Sequence, residues 1–238
     1  MSTIVQRYIC TYIEALTNCE AYKMAARIWT FQNQKGGTTK TTSATNIAAC
    51  LATVHKKNVL LVDLDGTQGS ATDWASARSD EAVPVPCVIM RETIKRDLPR
   101  ISSGYDYVII DGIPKITPLT SDAVKISDLV IIPVQPSQYD IWATRDMVQL
   151  VKDRQEVTDG LPRAVLLVAR AIRNTIIERT ATEALHGYEL PVLNAKTYQS
   201  VSYTNGIAEG LSVFDLPAGD GARDDIEAVT LELLEMDK

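Results

Sequence analysis

From position 28 onward the chain alternates short, continuous apolar runs with longer stretches that are apolar on one side only. The runs at 28–31 (IWTF), 58–63 (NVLLVD), 105–111 (YDYVIID), 129–134 (LVIIPV) and 164–169 (AVLLVA) predict strands covered on both faces, as in a parallel sheet. A weaker run at 83–90, interrupted by Pro84 and Pro86, suits a sheet edge. Helical spacing falls between them, at 41–55 (Ala44, Ile47, Ala48 and Leu51 on one face), 70–77, 91–101, 141–154 and 175–185. A further strand at 190–193, a helix around 201–208 and a helix at 226–236 close the chain. The alternation predicts an α/β fold: one domain over 28–238, a doubly wound, mostly parallel sheet with helices on both faces. Upstream, Val5, Tyr8, Ile9, Tyr12, Ile13 and Leu16 predict an N-terminal helical extension over 1–27, packed on the body or left by an upstream start, since Met24 could itself begin a chain.

Composition changes this picture little, but it excludes several classes. At 238 residues, 45% hydrophobic and 23% charged, the chain is ordinary globular material. A formal net charge of −6 gives no global basic field, so DNA contact would need a local patch. Cys10, Cys19, Cys50 and Cys87 form no C-x-x-C pair and no metal-type spacing with His55 and His186, which reads as free thiols in a reducing, cytoplasmic setting. No apolar run approaches the roughly 18–20 residues of a membrane span, and no membrane partner is expected.

The chemistry centres on residues 33–42, NQKGGTTKTT, between the first strand and the first helix. A strand that turns through glycines into a helix N-terminus aims backbone N–H groups and the helix dipole at one point, which suits an anion. Lys40 and Thr41 stand where a P-loop lysine and its magnesium-binding hydroxyl would stand, although Gln34 and Thr39 occupy the positions of the two P-loop glycines. A polar loop before a helix needs no ligand, so the loop alone does not decide. Ligands in open parallel sheets bind beyond the carboxyl ends of the strands, and Asp63, Asp65 and Asp111 end two of the predicted strands there. One such aspartate is as well explained as a cap or turn residue. Three beside Lys40-Thr41 point to a phosphate–magnesium site.

Four stretches in order resemble the ParA/MinD family of deviant Walker ATPases, closest to small ParA partition proteins without an N-terminal DNA-binding domain. They are 33–42 (the deviant Walker A loop), 60–75 (LLVDLDGTQGSATDWA), 108–112 (VIIDG, Walker B) and 131–144 (IIPVQPSQYDIWAT). The resemblance implies a P-loop NTPase of the deviant Walker type, binding ATP or ADP with Mg²⁺. Gly36, Gly37, Thr38, Thr39, Lys40, Thr41 and Thr42 would hold nucleotide, with Thr41, Asp63 and Asp111 about the metal. Lys40 and Asp65 would serve hydrolysis, Asp65 by positioning water. Lys35 falls on the family's signature lysine, which reaches the partner's phosphates in an ATP-dependent homodimer; its bland reading is an exposed lysine before a glycine turn. Arg170 is expected nearer the base, and Arg163, Arg173 and Arg179 are candidates for nonspecific DNA contact, with salt-bridged helix faces the alternative.

Two departures bear on turnover. Thr39 replaces a glycine; if that position needs φ > 0, a β-branched residue costs on the order of 1–2 kcal/mol. Gly66-Thr67 stands where the family has one proline before Gln68. The expected function is an ATP-dependent partition or positioning ATPase that binds nonspecific DNA when ATP-bound and is released by hydrolysis stimulated by a cognate partner protein. The alternative is a degenerate nucleotide-binding scaffold that acts through a partner with little or no hydrolysis.

Overall fold

The computed structural model describes residues 25–66, 70–217, 219 and 221–237. The expected helix within 1–27, Cys10, Cys19, and the Thr67-Gln68 part of the loop after Asp65 lie outside the described residues.

Six strands form one parallel sheet: β1 (Arg27–Phe31), β2 (Val59–Asp63), β3 (Cys87–Ile89), β4 (Tyr107–Asp111), β5 (Leu129–Val134) and β6 (Arg163–Val168), in the order β3-β2-β4-β1-β5-β6. The first strand begins at Arg27, one residue before the expected boundary, and Ala26 is already buried. The proline-broken run is the edge strand β3, cut to three residues. Seven helices follow among the described residues: α1 (Lys40–Thr53), α2 (Ser70–Ala77), α3 (Ile94–Ile101), α4 (Pro118–Ile126), α5 (Gln138–Glu156), α6 (Ile176–His186) and α7 (Ala222–Met236).

Alternate strand residues face opposite layers, as the period of a strand requires. Trp29, Phe31, Leu61, Ile109, Ile131 and Leu167 pack with Ile47 and Leu51 of α1, Trp74 of α2, and Val229 and Leu233 of α7. On the other face Leu60, Val62, Val108 and Ile110 meet Ile94 and Leu98 of α3. There too Val130, Ile132, Leu166 and Val168 meet Met147 and Val151 of α5 and Leu185 of α6. Both faces are therefore covered, which is why the strands read as unbroken apolar runs. No helix among the described residues is long and apolar enough to cross a membrane.

Two local expectations are corrected. Residues 190–193 make no strand; a single parallel bridge, Leu166 to Val192, is all that Pro191 leaves there. The helix expected around 201–208 is two short 3₁₀ turns, Val201–Tyr203 and Ile207–Glu209, because Gly206 (φ 75°) and Gly210 (φ 67°) turn left-handed. Helix α4 adds to the expected elements: Thr117 caps it by accepting from the Thr120 N–H and Pro118 opens it.

Candidate functional site

Register brings the acidic residues together. In the β2–β4 pairing Asp63 stands opposite Asp111, and in the β1–β4 pairing Phe31 stands opposite Asp111. Neighbouring strands lie about 4.8 Å apart, so the two strand-end aspartates and the loop leaving β1 share one rim. A cavity of about 940 Å³ opens there, lined by residues 36–43, Asp63, Asp65, Asp111, Arg170, Arg173 and the segment 197–204.

The loop is pinned from behind. The Asn33 side-chain amide donates to the Pro133 carbonyl (2.9 Å) and the Thr144 hydroxyl (3.2 Å), and the Gln32 amide donates to the Ile113 carbonyl (2.8 Å). Gln135 donates to the Gly37 carbonyl. Gly37 (φ 76°) and Thr39 (φ 68°, ψ 17°) are both left-handed, so the turn that reverses the chain into α1 does place a β-branched residue where glycine is unstrained. Thr39 is the N-cap of α1 but makes no side-chain capping bond, and the first turn holds no acidic residue. That end of α1 thus offers uncapped amides and the positive end of its dipole to the cavity.

The Lys40 ammonium donates to the Lys35 carbonyl (3.1 Å). Burial lowers its pKa, against the attraction of Asp111 and Asp65. Asp111 accepts from the Thr41 hydroxyl (2.7 Å) through Oδ2, while its Oδ1 is buried with no hydrogen-bond partner. Burial pushes the Asp111 carboxyl up to about 7; the Thr41 bond opposes this and the charge of Asp63 adds to it. Asp63 is differently occupied. It accepts from the Asp65 N–H (2.8 Å) and from both the N–H and hydroxyl of Thr72 (each 3.0 Å), so it shapes the loop that carries Asp65.

A hydrated magnesium ion fits this donor set. The orphaned, buried Asp111 oxygen beside the Thr41 hydroxyl wants a cation or a water held by one. Among the described residues no three His, Cys, Asp or Glu side chains group to hold a metal by themselves. Magnesium does not need them, because it keeps most of its waters and takes one or two carboxylates plus phosphate oxygens.

Lys35 is absent from the cavity lining. Its ammonium lies on the far side of the loop, 2.7 Å from Asp140 in the first turn of α5. Asp140 belongs to the Ser137-x-x-Asp140 cap of that helix, which carries α5 three residues further upstream than apolar spacing alone suggests. That capping pattern was the available signal for Asp140; none marked Thr72.

The arginines separate. Arg170 (φ 57°) and Arg173 line the cavity, and Arg173 stacks on Tyr198 (3.7 Å) while pairing with Asp225 (2.6 Å). Arg179 is exposed on α6. Arg163 opens β6 at the opposite end of the sheet and is paired with Asp237 (2.9 Å), so it shares no patch with the other three. No local sequence pattern marks the cavity wall at 197–204, which includes Tyr198, because it is an irregular segment folded across a sheet end.

A family model described as an AAA domain matches residues 26–90 and 85–161, more than half of the chain. The chain is also 30% identical over 192 residues to the sporulation initiation inhibitor protein Soj of Bacillus subtilis, covering 63% of this chain and 75% of that one. The chain belongs to the ParA/MinD family of ATPases. Another relative, the maintenance of carboxysome distribution protein A of Halothiobacillus neapolitanus, is 28% identical over 204 residues, 85% of this chain and 94% of its own. The fold is also that of McdA from Cyanothece in its apo form (TM-score 0.73, 16% identity, 87% of this chain and 99% of that one) and of a variant in complex with ATP (TM-score 0.68, 15% identity, 88% and 96%). Solved structures of this fold hold ATP, or, in a cobyrinic acid a,c-diamide synthase of Mycobacterium smegmatis (TM-score 0.60, 26% identity, 78% of this chain and 91% of that one), ADP and magnesium.

Proposed function

We propose that the chain is an ATP-dependent positioning ATPase that pairs with a second copy of itself across two nucleotides and is reset by hydrolysis. One observation carries this reading: Lys40, Thr41, Asp65 and Asp111 surround the cavity, while Lys35 stands outside it on the α5 face. A lysine of this loop that lies outside its own cavity, paired only with Asp140, supports a role toward another chain's phosphates. The geometry supports the following roles. Gly36 to Thr42 offer amides, and the Lys40 ammonium exchanges its loop carbonyl for phosphate oxygens. Thr41 and Asp111 would hold the magnesium ion through its waters, and that ion supplies charge neutralisation on the phosphates. Asp65, on the loop fixed by Asp63, would orient the attacking water, and Lys35 of the second copy would neutralise charge on the transferring group. Slow hydrolysis would make binding, pairing and release one cycle.

Nonspecific DNA binding by the paired form is part of the proposal, with Arg170, Arg173 and Arg179 as candidates and phosphates the groups read. Soj and carboxysome distribution proteins among the relatives support a positioning role, with a cognate adaptor protein stimulating release. The site of action would be the cytoplasm, on the nucleoid when ATP is bound. The test is sizing of the protein with ADP and with a nonhydrolysable ATP analogue, repeated on Lys35→Ala. The expected result is pairing with the analogue alone, lost in the variant, together with DNA binding that weakens steeply with salt. A wild-type protein that stays monomeric with the analogue would sink the reading.

The left-handed Thr39 favours a second reading, a scaffold that grips nucleotide with little turnover. An ordinary family rate in the native chain removes it.

A further inference from the structure

The first two turns of α5 carry two large aromatics on their open side. Tyr139 is 76% exposed, the most exposed large hydrophobic side chain among the described residues, and Trp142 is 55% exposed. They stack edge to face, with centroids 5.9 Å apart and planes at 89°. Each sits next to a residue that holds the nucleotide loop. Tyr139 precedes Asp140, which holds the Lys35 ammonium at 2.7 Å, and Trp142 precedes Ala143, whose carbonyl accepts from Gln34 at 2.6 Å. The aromatic pair thus rises from the exposed side of the same stretch of helix that holds Lys35, a half-exposed ammonium whose charge Asp140 balances.

We infer that Tyr139 and Trp142 are anchor residues of the contact with a second copy of this chain. The inference rests on the proposed pairing and says which side chains hold it. The charge is complementary once Lys35 exchanges Asp140 for a new partner: its half-exposed ammonium lies outside its own cavity, and a second copy with nucleotide in its cavity presents phosphates. A cation can reach them only if the surface around it closes on the partner, which covers Tyr139 and Trp142. The area is also of the right order. Large aromatics bury roughly 150–250 Å² each, a sizeable part of the ~800 Å² per partner of a stable interface. Tyrosine and tryptophan are the side chains that most often dominate such contacts.

The chain supplies its own reporter. Its tryptophans are Trp29, Trp74 and Trp142, of which the first two are 0% and 3% exposed. The experiment is sedimentation of the full chain with a nonhydrolysable ATP analogue, on wild type, Tyr139→Ala, Trp142→Ala and Trp142→Phe, with analogue affinity measured in parallel. Both alanine variants are expected to weaken pairing by roughly tenfold or more, with the analogue affinity of the unpaired protein, titrated at high dilution, unchanged. Trp142→Phe should recover much of the loss, and wild-type emission should shift to the blue on pairing while that of Trp142→Phe does not. If the alanine variants pair as tightly as wild type, the inference falls and the pairing itself stands. If those variants pair normally but lose an adaptor protein, the surface belongs to that partner and the inference again falls. A wild type that never pairs removes both.

Discussion

Gly112, immediately after Asp111, tests how the strand ends hold the site. A Cβ built there would lie 1.6 Å from Gln32 Oε1, 2.7 Å from Gln32 Cδ and 2.6 Å from the Phe31 carbonyl oxygen. None of these can give way cheaply. The Phe31 carbonyl is backbone and accepts the Gly112 N–H at 3.0 Å, and the Gln32 side chain is buried and donates to Ile113 at 2.8 Å. Gly112→Ala therefore overpacks a closed region, at about 1–3 kcal/mol, and breaks one buried hydrogen bond, at about 1 kcal/mol. The sum is about 3 kcal/mol, a fall in Tm of roughly 6–12 °C for a chain of this size. The shift also moves Asp111 relative to Thr41, so affinity for an ATP analogue with magnesium should drop about tenfold or more. Thermal and urea unfolding measure the first effect, and titration of a fluorescent analogue the second. Removing the Gln32 side chain should relieve part of the strain, so Gln32→Ala/Gly112→Ala should be less destabilised than the sum of the single variants. Strict additivity, or a Gly112→Ala protein within ~0.5 kcal/mol of wild type, would refute this account.

Two further outcomes follow from the loop and its carboxylate. Thr39→Gly removes a left-handed strain of about 1–2 kcal/mol but returns ~0.5–1 kcal/mol of unfolded-chain entropy, so urea unfolding should show a gain of about 0.5 kcal/mol. Thr39→Ala keeps the Cβ and should show no gain; single-turnover hydrolysis should rise in the glycine variant if the strained threonine limits turnover. Asp111 is raised from 3.8 to about 7 by burial, so below about 7 the folded, ligand-free protein keeps its acid form; the stability present in acid is lost as pH climbs from about 4 to about 7, where the loss is complete. Magnesium needs the ionised form, so magnesium-dependent nucleotide affinity should rise from pH 6 toward pH 8, approaching tenfold per unit below about 7, with a proton released on binding. Calorimetry in two buffers measures that proton; a flat profile, or one unchanged in Asp111→Asn, would contradict the assignment.

Much of this protein was legible in the linear sequence, because the signals involved are local. A strand covered on both faces must be apolar throughout, so β2, β4, β5 and β6 announced themselves. A phosphate loop needs its glycines, lysine and threonine at fixed spacing, and parallel strands put their carboxyl ends on one rim, so Asp63, Asp65 and Asp111 could be grouped with Lys40 and Thr41. What the sequence could not carry was non-local. The strand order β3-β2-β4-β1-β5-β6 decides that Asp63 and Asp111 are neighbours. The packing of α5 against the loop turns Lys35 outward onto Asp140. Arg163 and Arg170 are seven positions apart in the chain yet at opposite ends of the sheet, because strand β6 runs between them. Sequence determined which groups were available; the register of the sheet and one buried helix cap decided which of them face the same cavity.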